Sequence, residues 1–243
     1  MSAPPPPPPP LQPHLPAPPR HVETVHIVET NTASVAVTIL NIINAITHWM
    51  LGGVAISAFM YANNLKIFSP ISTISTHIYL CVSGYVLLMS LAVTSMSPYS
   101  GFSRTFNQKQ KKTIHFVLQV LGSILALAGS ILRITSLNEN FNSTHGILGW
   151  VAMILTFLSL IGGVINLYSQ KLNLFPFLIR SCHACIGCVT LIVAFLCLIF
   201  GFTQVRFMGE INANMSIGLT VCALLGVLLS PCVTFVKRLL ARK

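Results

Sequence analysis

Six apolar segments, each long enough to cross a bilayer, constrain the fold of this chain more than any other feature. A helix of about 20 apolar residues crosses ~30 Å of hydrocarbon. Hydrophobic residues make up 53% of the 243 residues and charged residues only 7%, whereas charged residues make up roughly 25% of soluble domains. We therefore predict an all-α integral membrane protein, a six-transmembrane-helix bundle with spans at residues 40–62, 78–97, 114–132, 146–167, 184–202 and 216–236.

The segment before the first span is rich in proline, which occupies every position from 4 to 10. Proline has no backbone N–H and breaks helices and sheets, so this composition favours an extended, solvated chain. We predict two parts: residues 1–36 form a disordered proline-rich cytosolic tail, and residues 37–238 form the membrane domain. Docking of a polyproline-reading domain is the alternative to a plain spacer.

The basic residues indicate how the chain lies in the membrane. A net charge of +10 could suggest a nucleic-acid partner, but the lysines and arginines lie at the ends of the spans rather than on a soluble face. With a cytosolic N-terminus, only Lys66, Arg133 and Arg206 face outwards. The remaining eleven face the cytosol: Arg20, Arg104, Lys109, Lys111, Lys112, Lys171, Arg180, Lys237, Arg238, Arg242 and Lys243. Because cytosolic loops carry the excess of Lys and Arg, we predict cytosolic N- and C-termini and no nucleic-acid partner.

Four histidines stand at matching places, one near the start of each of the second to fifth spans: His77, His115, His145 and His183. Polar groups in a span are costly and tend to mark function, although one near an interface can simply be solvated. Consecutive spans alternate in direction. His77 and His145 therefore meet near the outer leaflet and are called the outer pair, while His115 and His183 meet near the cytosolic leaflet and are called the inner pair.

Each pair lies on two spans that run parallel, so its imidazoles can approach one plane from opposite sides. Bis-histidine ligation of a haem needs this arrangement. We predict two b-type haems per chain, with their iron held by the outer pair and by the inner pair. This places a redox centre near each membrane face.

The residues below each histidine on the same helical face are mostly small, which a macrocycle would require. We predict that they leave room for haem, and the alternative is that they only let the helices pack closely. The twelve positions are Cys81, Gly84, Leu88, Gln119, Gly122, Ala126, Gly149, Ala152, Thr156, Gly187, Thr190 and Ala194.

The seven cysteines fall almost entirely inside the spans, where cysteine behaves as a small apolar residue. They do not indicate a disulfide framework. A zinc site built from Cys182, Cys185 and Cys188 is an alternative, but structural zinc requires four converging ligands.

Three segments around the histidines resemble the cytochrome b561 family: residues 111–119 (KKTIHFVLQ), 143–150 (STHGILGW) and 180–184 (RSCHA). The resemblance is closest to its short "domain-containing" transmembrane reductases and extends over roughly residues 37 to 238. Three positions depart from it. Thr76 and Ile78 flank His77 where many members have tryptophan and proline, and Gln119 stands where members of the best-studied branch have a second histidine.

The resemblance implies a six-helix, dihaem membrane reductase, often a homodimer. Such proteins take an electron from cytosolic ascorbate and deliver it to monodehydroascorbate or a ferric chelate on the other side. It implies the same ligand pairs that the topology gave. The membrane is then an endomembrane, of the endoplasmic reticulum or a vesicle, or the plasma membrane.

Four cations beside the inner pair are candidates for binding the anionic ascorbate: Lys109, Lys111, Lys112 and Arg180. Lys112 matches the lysine that similar proteins place shortly before their ligand. The alternative is that these cations only set the topology and contact lipid headgroups.

His48 is the main rival ligand, but its span has no second histidine, so we predict a buried, hydrogen-bonded role with Asn41 or Asn44. Two other functions remain as alternatives, a non-redox transporter and a scaffold. All four acidic residues, Glu23, Glu29, Glu139 and Glu210, lie outside the spans, which counts against coupling of transport through carboxylates.

Overall fold

A computed structural model of the chain describes residues 20–68, 73–101, 103–138, 141–172, 175–204 and 209–240. The proline run of the predicted tail, in residues 1–19, lies outside the described residues. Every regular element in these ranges is helical: α1 (Arg20–Phe68), α2 (Thr73–Cys81), the π-helix π1 (Val82–Met89), α3 (Ser90–Ser95), α4 (Gln108–Thr135), α5 (Thr144–Leu172), α6 (Pro176–Thr203) and α7 (Glu210–Leu240).

Six stretches of these helices are long and apolar enough to cross a membrane, which confirms the predicted all-α bundle. They are Val35–Ile67, Thr73–Ser95, Gln108–Thr135, Thr144–Ser169, Pro176–Thr203 and Asn212–Val236. The second span is continuous through α2, π1 and α3. Helix α1 begins at Arg20, so the helical backbone starts earlier than the predicted tail boundary at residue 36. Residues 20–36 contain no proline, and nothing in that sequence interrupts a helix.

Spans two to five form two antiparallel helical hairpins. In the first hairpin, α2–π1–α3 packs against α4, and in the second, α5 packs against α6. The start of each span therefore lies beside the end of its partner, as shown by His77 next to Gly129 and His145 next to Cys197. Both contacts join residues 52 positions apart, so the second hairpin repeats the arrangement of the first.

Glycines bring the two arms of the first hairpin into close contact. A Cβ added at Gly84 would lie 2.6 Å from the Gly122 carbonyl oxygen, and one added at Gly129 would lie 2.9 Å from the Cys81 sulfur. Ala126, on the same face of α4, is fully buried. The small residues below His77 and His115 therefore serve helix packing, and the prediction that they leave room for a macrocycle is wrong for this hairpin, because the antiparallel partner fills that space.

Gly84→Ala should destabilise the protein by about 1–3 kcal/mol, because the new methyl group meets the backbone of α4 rather than a movable side chain. Thermal unfolding in detergent checks this. Gly52→Ala in α1 is the matched control, since no atom lies within 4 Å of the added Cβ. The control should be neutral or slightly stabilising because alanine has the higher helix propensity. Equal melting temperatures for the two variants would contradict the packing account.

The two hairpins meet at mid-span through a buried side-chain hydrogen bond. The Tyr85 hydroxyl, on π1, lies 2.9 Å from Thr156 Oγ1 on α5, and Thr156 Oγ1 donates to the Ala152 carbonyl. Helix α1 flanks the first hairpin, where Ser75 Oγ donates to the Ala62 carbonyl and Tyr79 bonds Asn63. The two hairpins therefore pack against each other, with α1 beside the first. Each hairpin carries two of the four histidines.

Candidate functional site

The structure brings the four histidines together as two pairs with nearly identical geometry. The ring centres of His77 and His145 are 6.2 Å apart with planes at 90°, and those of His115 and His183 are 6.3 Å apart at 89°. Each pair joins one histidine of the first hairpin to one of the second. These are the outer and inner pairs that the alternation of spans predicted.

The spacing within each pair fits two imidazoles on one metal ion. Metal–imidazole bonds are about 2.0–2.1 Å long, and a ring nitrogen lies about 1.1 Å from its ring centre, so collinear ligands place the centres about 6.2–6.4 Å apart. Both observed distances agree with that range. An edge-to-face aromatic contact also falls within 4.5–7 Å, roughly, so distance alone does not decide between them. The hydrogen bonds of the rings favour ligation.

Three of the rings are oriented by backbone carbonyls of the antiparallel partner helix. Nδ1 of His77 lies 2.9 Å from the Gly129 carbonyl oxygen, and Nδ1 of His115 lies 2.8 Å from that of Ala92. Nδ1 of His145 lies 2.8 Å from the Cys197 carbonyl oxygen. A carbonyl oxygen can only accept, so Nδ1 of each ring carries the proton and donates it.

The opposite nitrogen, Nε2, is therefore the unprotonated one in these three rings. The hydrogen bonds that the described residues make to these three rings involve Nδ1 rather than Nε2. An imidazole with Nδ1–H held by a carbonyl and a free Nε2 lone pair is the usual form of a metal-bound histidine. An aromatic contact would not require this tautomer.

The fourth ring, His183, is held more loosely. It lies against the backbone of Ser159 on α5, but its Nδ1 has no well-formed hydrogen bond within the described part of the chain. It opens onto a cavity of about 420 Å³ between α3, α4, α5, α6 and α7, which the other inner-pair ring also lines. Ligand pockets typically have volumes of about 300–1,000 Å³.

Two glycines make room for the imidazoles on the second hairpin. A Cβ added at Gly201 would lie 3.2 Å from Cε1 and Nδ1 of His145, and one added at Gly163 would lie 3.2 Å from Cε1 of His183. Each glycine lies on the helix that packs against the histidine's own helix. A larger side chain would push the ring away from its partner.

Gly201→Val should therefore disrupt the outer pair and Gly163→Val the inner pair. We expect each variant to lose most of the haem at its own pair and to keep the other, as measured by haem content per purified chain. Gly218→Val on α7 is the control, because no atom lies within 4 Å of its added Cβ. Unchanged haem content in both test variants would mean that these rings tolerate displacement.

The structure divides the four predicted cations into two groups. Lys112 and Arg180 line the cavity of the inner pair, together with Gln119 and Asn166. The amide oxygens of Gln119 and Asn166 are buried, with no hydrogen-bond partner in the described ranges. The lining of this cavity thus includes two positive charges, Lys112 and Arg180, which suit an anionic ligand.

Lys109 and Lys111 do not line that cavity, so their predicted role as binding residues gains no support from the structure. Lys109 is exposed. Lys111 is only 6% exposed, and its Nζ donates to the Ser97 carbonyl at 3.5 Å. Lys111 and Lys112 both lie within one turn of His115 on α4. They differ in contact, because the Lys111 ammonium group bonds the Ser97 carbonyl while Lys112 lines the cavity.

A cation also lies near the outer pair. Arg133, at the end of α4, lies close enough to act electrostatically on both His77 and His145. The structure keeps the rival ligand His48 apart from both pairs. Its Nδ1 bonds the Asn44 carbonyl at 2.6 Å, and its Nε2 lies 3.4 Å from Thr94 Oγ1.

A metal held by protein ligands alone does not fit these residues. Among the described residues, no group of three or more His, Cys, Asp or Glu could hold a metal ion, and Cys182, Cys185 and Cys188 are free thiols. Two imidazoles with free Nε2 atoms fit a metal whose other ligands arrive with a cofactor. Haem is such a cofactor, because its porphyrin supplies four nitrogens and leaves two axial positions.

Two kinds of group that position the histidines could not be predicted from the sequence. The glycines beside the rings, Gly163 and Gly201, lie in other spans than the histidines that they accommodate, so no spacing from a histidine identifies them. The carbonyls that orient the rings carry no residue signature at all. The contact of His77 with Gly129 and that of His145 with Cys197 both join residues 52 positions apart. Once the first contact is known, this repeated offset predicts the second.

Comparison with known proteins agrees with this geometry. The family model described as eukaryotic cytochrome b561 matches residues 76–209, which is more than half of the chain and includes all four paired histidines. No curated protein matches the chain significantly.

Proposed function

Because the chain belongs to the eukaryotic cytochrome b561 family, whose function is haem-based electron transfer across membranes, we propose that it carries electrons from cytosolic ascorbate to monodehydroascorbate or a ferric chelate. It would act as a transmembrane ascorbate-dependent reductase. One observation carries the proposal: the two histidine pairs, at opposite ends of the hairpins, combine the ring separation expected for two axial ligands of an iron with Nδ1 groups held by backbone carbonyls.

In this proposal the outer pair, His77 and His145, and the inner pair, His115 and His183, each hold one haem b. When bound, each haem supplies an iron that is reduced and reoxidised by one electron. The protein fixes the orientation of three of the four rings, those of His77, His115 and His145, through the backbone of the partner helix, so these ligands are set before the cofactor arrives. Preorganised rings lower the entropic cost of binding.

Donor binding is assigned to the cavity of the inner pair. Ascorbate is an anion with several hydroxyl groups, which suits Lys112 and Arg180 as charge partners and Gln119 and Asn166 as hydrogen-bonding groups. Cations within the first turns of a helix oppose the helix dipole. Their presence near the starts of α4 and α6 therefore has a cost that binding an anion, or fixing the topology, would offset.

The acceptor is assigned to the opposite end. Arg133 is the cation beside the outer pair, and a positive charge there attracts anionic acceptors such as monodehydroascorbate or a chelated ferric ion. The excess of basic residues at the other ends of the spans supports cytosolic termini, which puts this end outside. An endomembrane or the plasma membrane and a homodimer, as the resemblance implied, belong to the same proposal.

Sealed vesicles test the proposal. The purified chain is reconstituted with ascorbate trapped inside and a ferric chelate outside, and ferrous product is followed with an impermeant dye. We expect ferrous iron to form far faster than in protein-free vesicles and only when ascorbate is present. A haem-loaded chain that transfers no faster than protein-free vesicles would overturn the reductase activity.

A further inference from the structure

The outer pair carries a feature that haem ligation does not require, a cysteine sulfur beside each ring. Cys81 Sγ lies 3.5 Å from Nδ1 of His77, and Cys197 Sγ lies 3.4 Å from Nδ1 of His145. Both thiols are free and only partly exposed. They come from different hairpins, Cys81 from the end of α2 and Cys197 from α6, yet each meets the same atom of its ring.

The direction of each thiol follows from its contact with a carbonyl oxygen, which can only accept. The Cys81 thiol donates to the Ala126 carbonyl at 3.6 Å, with the Ser130 hydroxyl a further 3.7 Å neighbour of the sulfur, and the Cys197 thiol donates to the His145 carbonyl at 3.3 Å. Because each thiol proton is donated to a carbonyl oxygen, the lone pairs of the sulfur are left to accept from Nδ1–H of the histidine. Each outer ring therefore donates its Nδ1–H to two acceptors, a carbonyl oxygen at 2.8–2.9 Å and a sulfur.

The inner pair lacks this arrangement. His115 donates from Nδ1 to the Ala92 carbonyl alone, and His183 has no well-formed acceptor in the described residues. At the position four residues after each ligand, where His77 has Cys81, His115 has Gln119 and His183 has Gly187. Both sites therefore have two histidine ligands. They differ in the groups that accept a hydrogen bond from Nδ1 of those histidines.

We infer that Cys81 and Cys197 are positioning residues that lower the reduction potential of the outer haem, an inference that rests on the proposed function. An acceptor on Nδ1–H makes the imidazole a stronger electron donor at Nε2. Stronger axial donation stabilises the ferric state relative to the ferrous state. The two sulfurs would thus lower the reduction potential of the outer haem below the value that its two imidazoles alone would give. The reduction potential of the inner haem would not change.

Redox titration of the purified, haem-loaded protein tests this inference. Cys81→Ala and Cys197→Ala should each raise the ferrous-to-ferric ratio of the outer haem at a fixed potential, by up to about two- to fivefold. A weak hydrogen bond contributes about 0.5–1 kcal/mol, and only the part that differs between the ferric and ferrous states shifts the ratio. The inner haem should not change. Paramagnetic resonance of the ferric state is the second readout, and the His115→Ala variant, which should keep only the outer haem, identifies its signal.

Two further variants control the experiment. Serine retains an acceptor, so Cys81→Ser and Cys197→Ser should titrate close to wild type. Cys222→Ala removes an exposed thiol on α7 and should leave both haems unchanged. Alanine variants that titrate like wild type would overturn the inference while the proposed function stands, whereas a wild-type chain without haem would overturn the proposed function itself.

Discussion

Replacement of His115 by alanine is expected to remove one of the two haems from the purified chain, and replacement of His77 is expected to remove the other. Each substitution deletes one of two axial ligands, and the remaining partner, 6.2 or 6.3 Å away across the site, cannot supply both bonds. Haem content per chain and the low-spin ferric resonance spectrum measure the loss. The double variant should retain essentially no haem.

His48→Ala is the matched control for this experiment. His48 is also a histidine within a span, but it bonds Asn44 and lies near Thr94 rather than facing another imidazole. The variant should keep both haems. If His48→Ala loses as much haem as His115→Ala, histidine loss acts through the stability of the bundle, and the assignment of ligands to pairs fails.

The second large effect is expected on the KM for ascorbate when Lys112 or Arg180 is replaced by alanine. Both line the inner cavity, and a hydrogen bond to a charged group contributes about 1.5–3 kcal/mol, so each loss should raise KM by about tenfold or more. The maximal rate should change less. The effect should shrink at high salt, because exposed charges are screened. Reduction of the purified protein by stopped-flow mixing with ascorbate measures it.

Lys109→Ala distinguishes binding of ascorbate by the cations that line the cavity from attraction by the overall positive charge at the membrane surface. It removes the same charge from the same helix turn but from a side chain outside the cavity, so its KM should stay near wild type. Lys111→Ala should instead lower thermal stability, because the buried ammonium group bonds the Ser97 carbonyl. If Lys109→Ala raised KM as much as Lys112→Ala, net charge at the membrane surface would be sufficient to explain the binding.

The number of spans and the pairing of the histidines were predictable because both follow from rules of the bilayer. A span needs a fixed apolar length, and consecutive spans must alternate, so histidines near the starts of the second and fourth spans reach the same face. No packing detail enters either step. The observed partners, His77 with His145 and His115 with His183, therefore agree with the topology.

Details that depend on helix phase and on contacts between distant spans were not predictable. The π1 segment shifts the phase of the second span, and no single residue in its sequence marks it. Gly84 and Gly122 were predicted to leave room for a macrocycle, but they allow the two arms of the first hairpin to pack closely. Lys111 neighbours Lys112 in sequence, yet it points to the Ser97 carbonyl, since neighbouring residues on a helix face different directions.

The stoichiometry of haem in gently purified wild-type protein decides whether the histidine pairs do what their geometry suggests. The pairs predict two b-type haems per chain, both with bis-imidazole low-spin spectra and both reducible by ascorbate. A chain that is folded, as shown by its helical content and melting transition, but holds no haem after expression with ample haem supply would contradict the assignment of His77, His115, His145 and His183 as ligands.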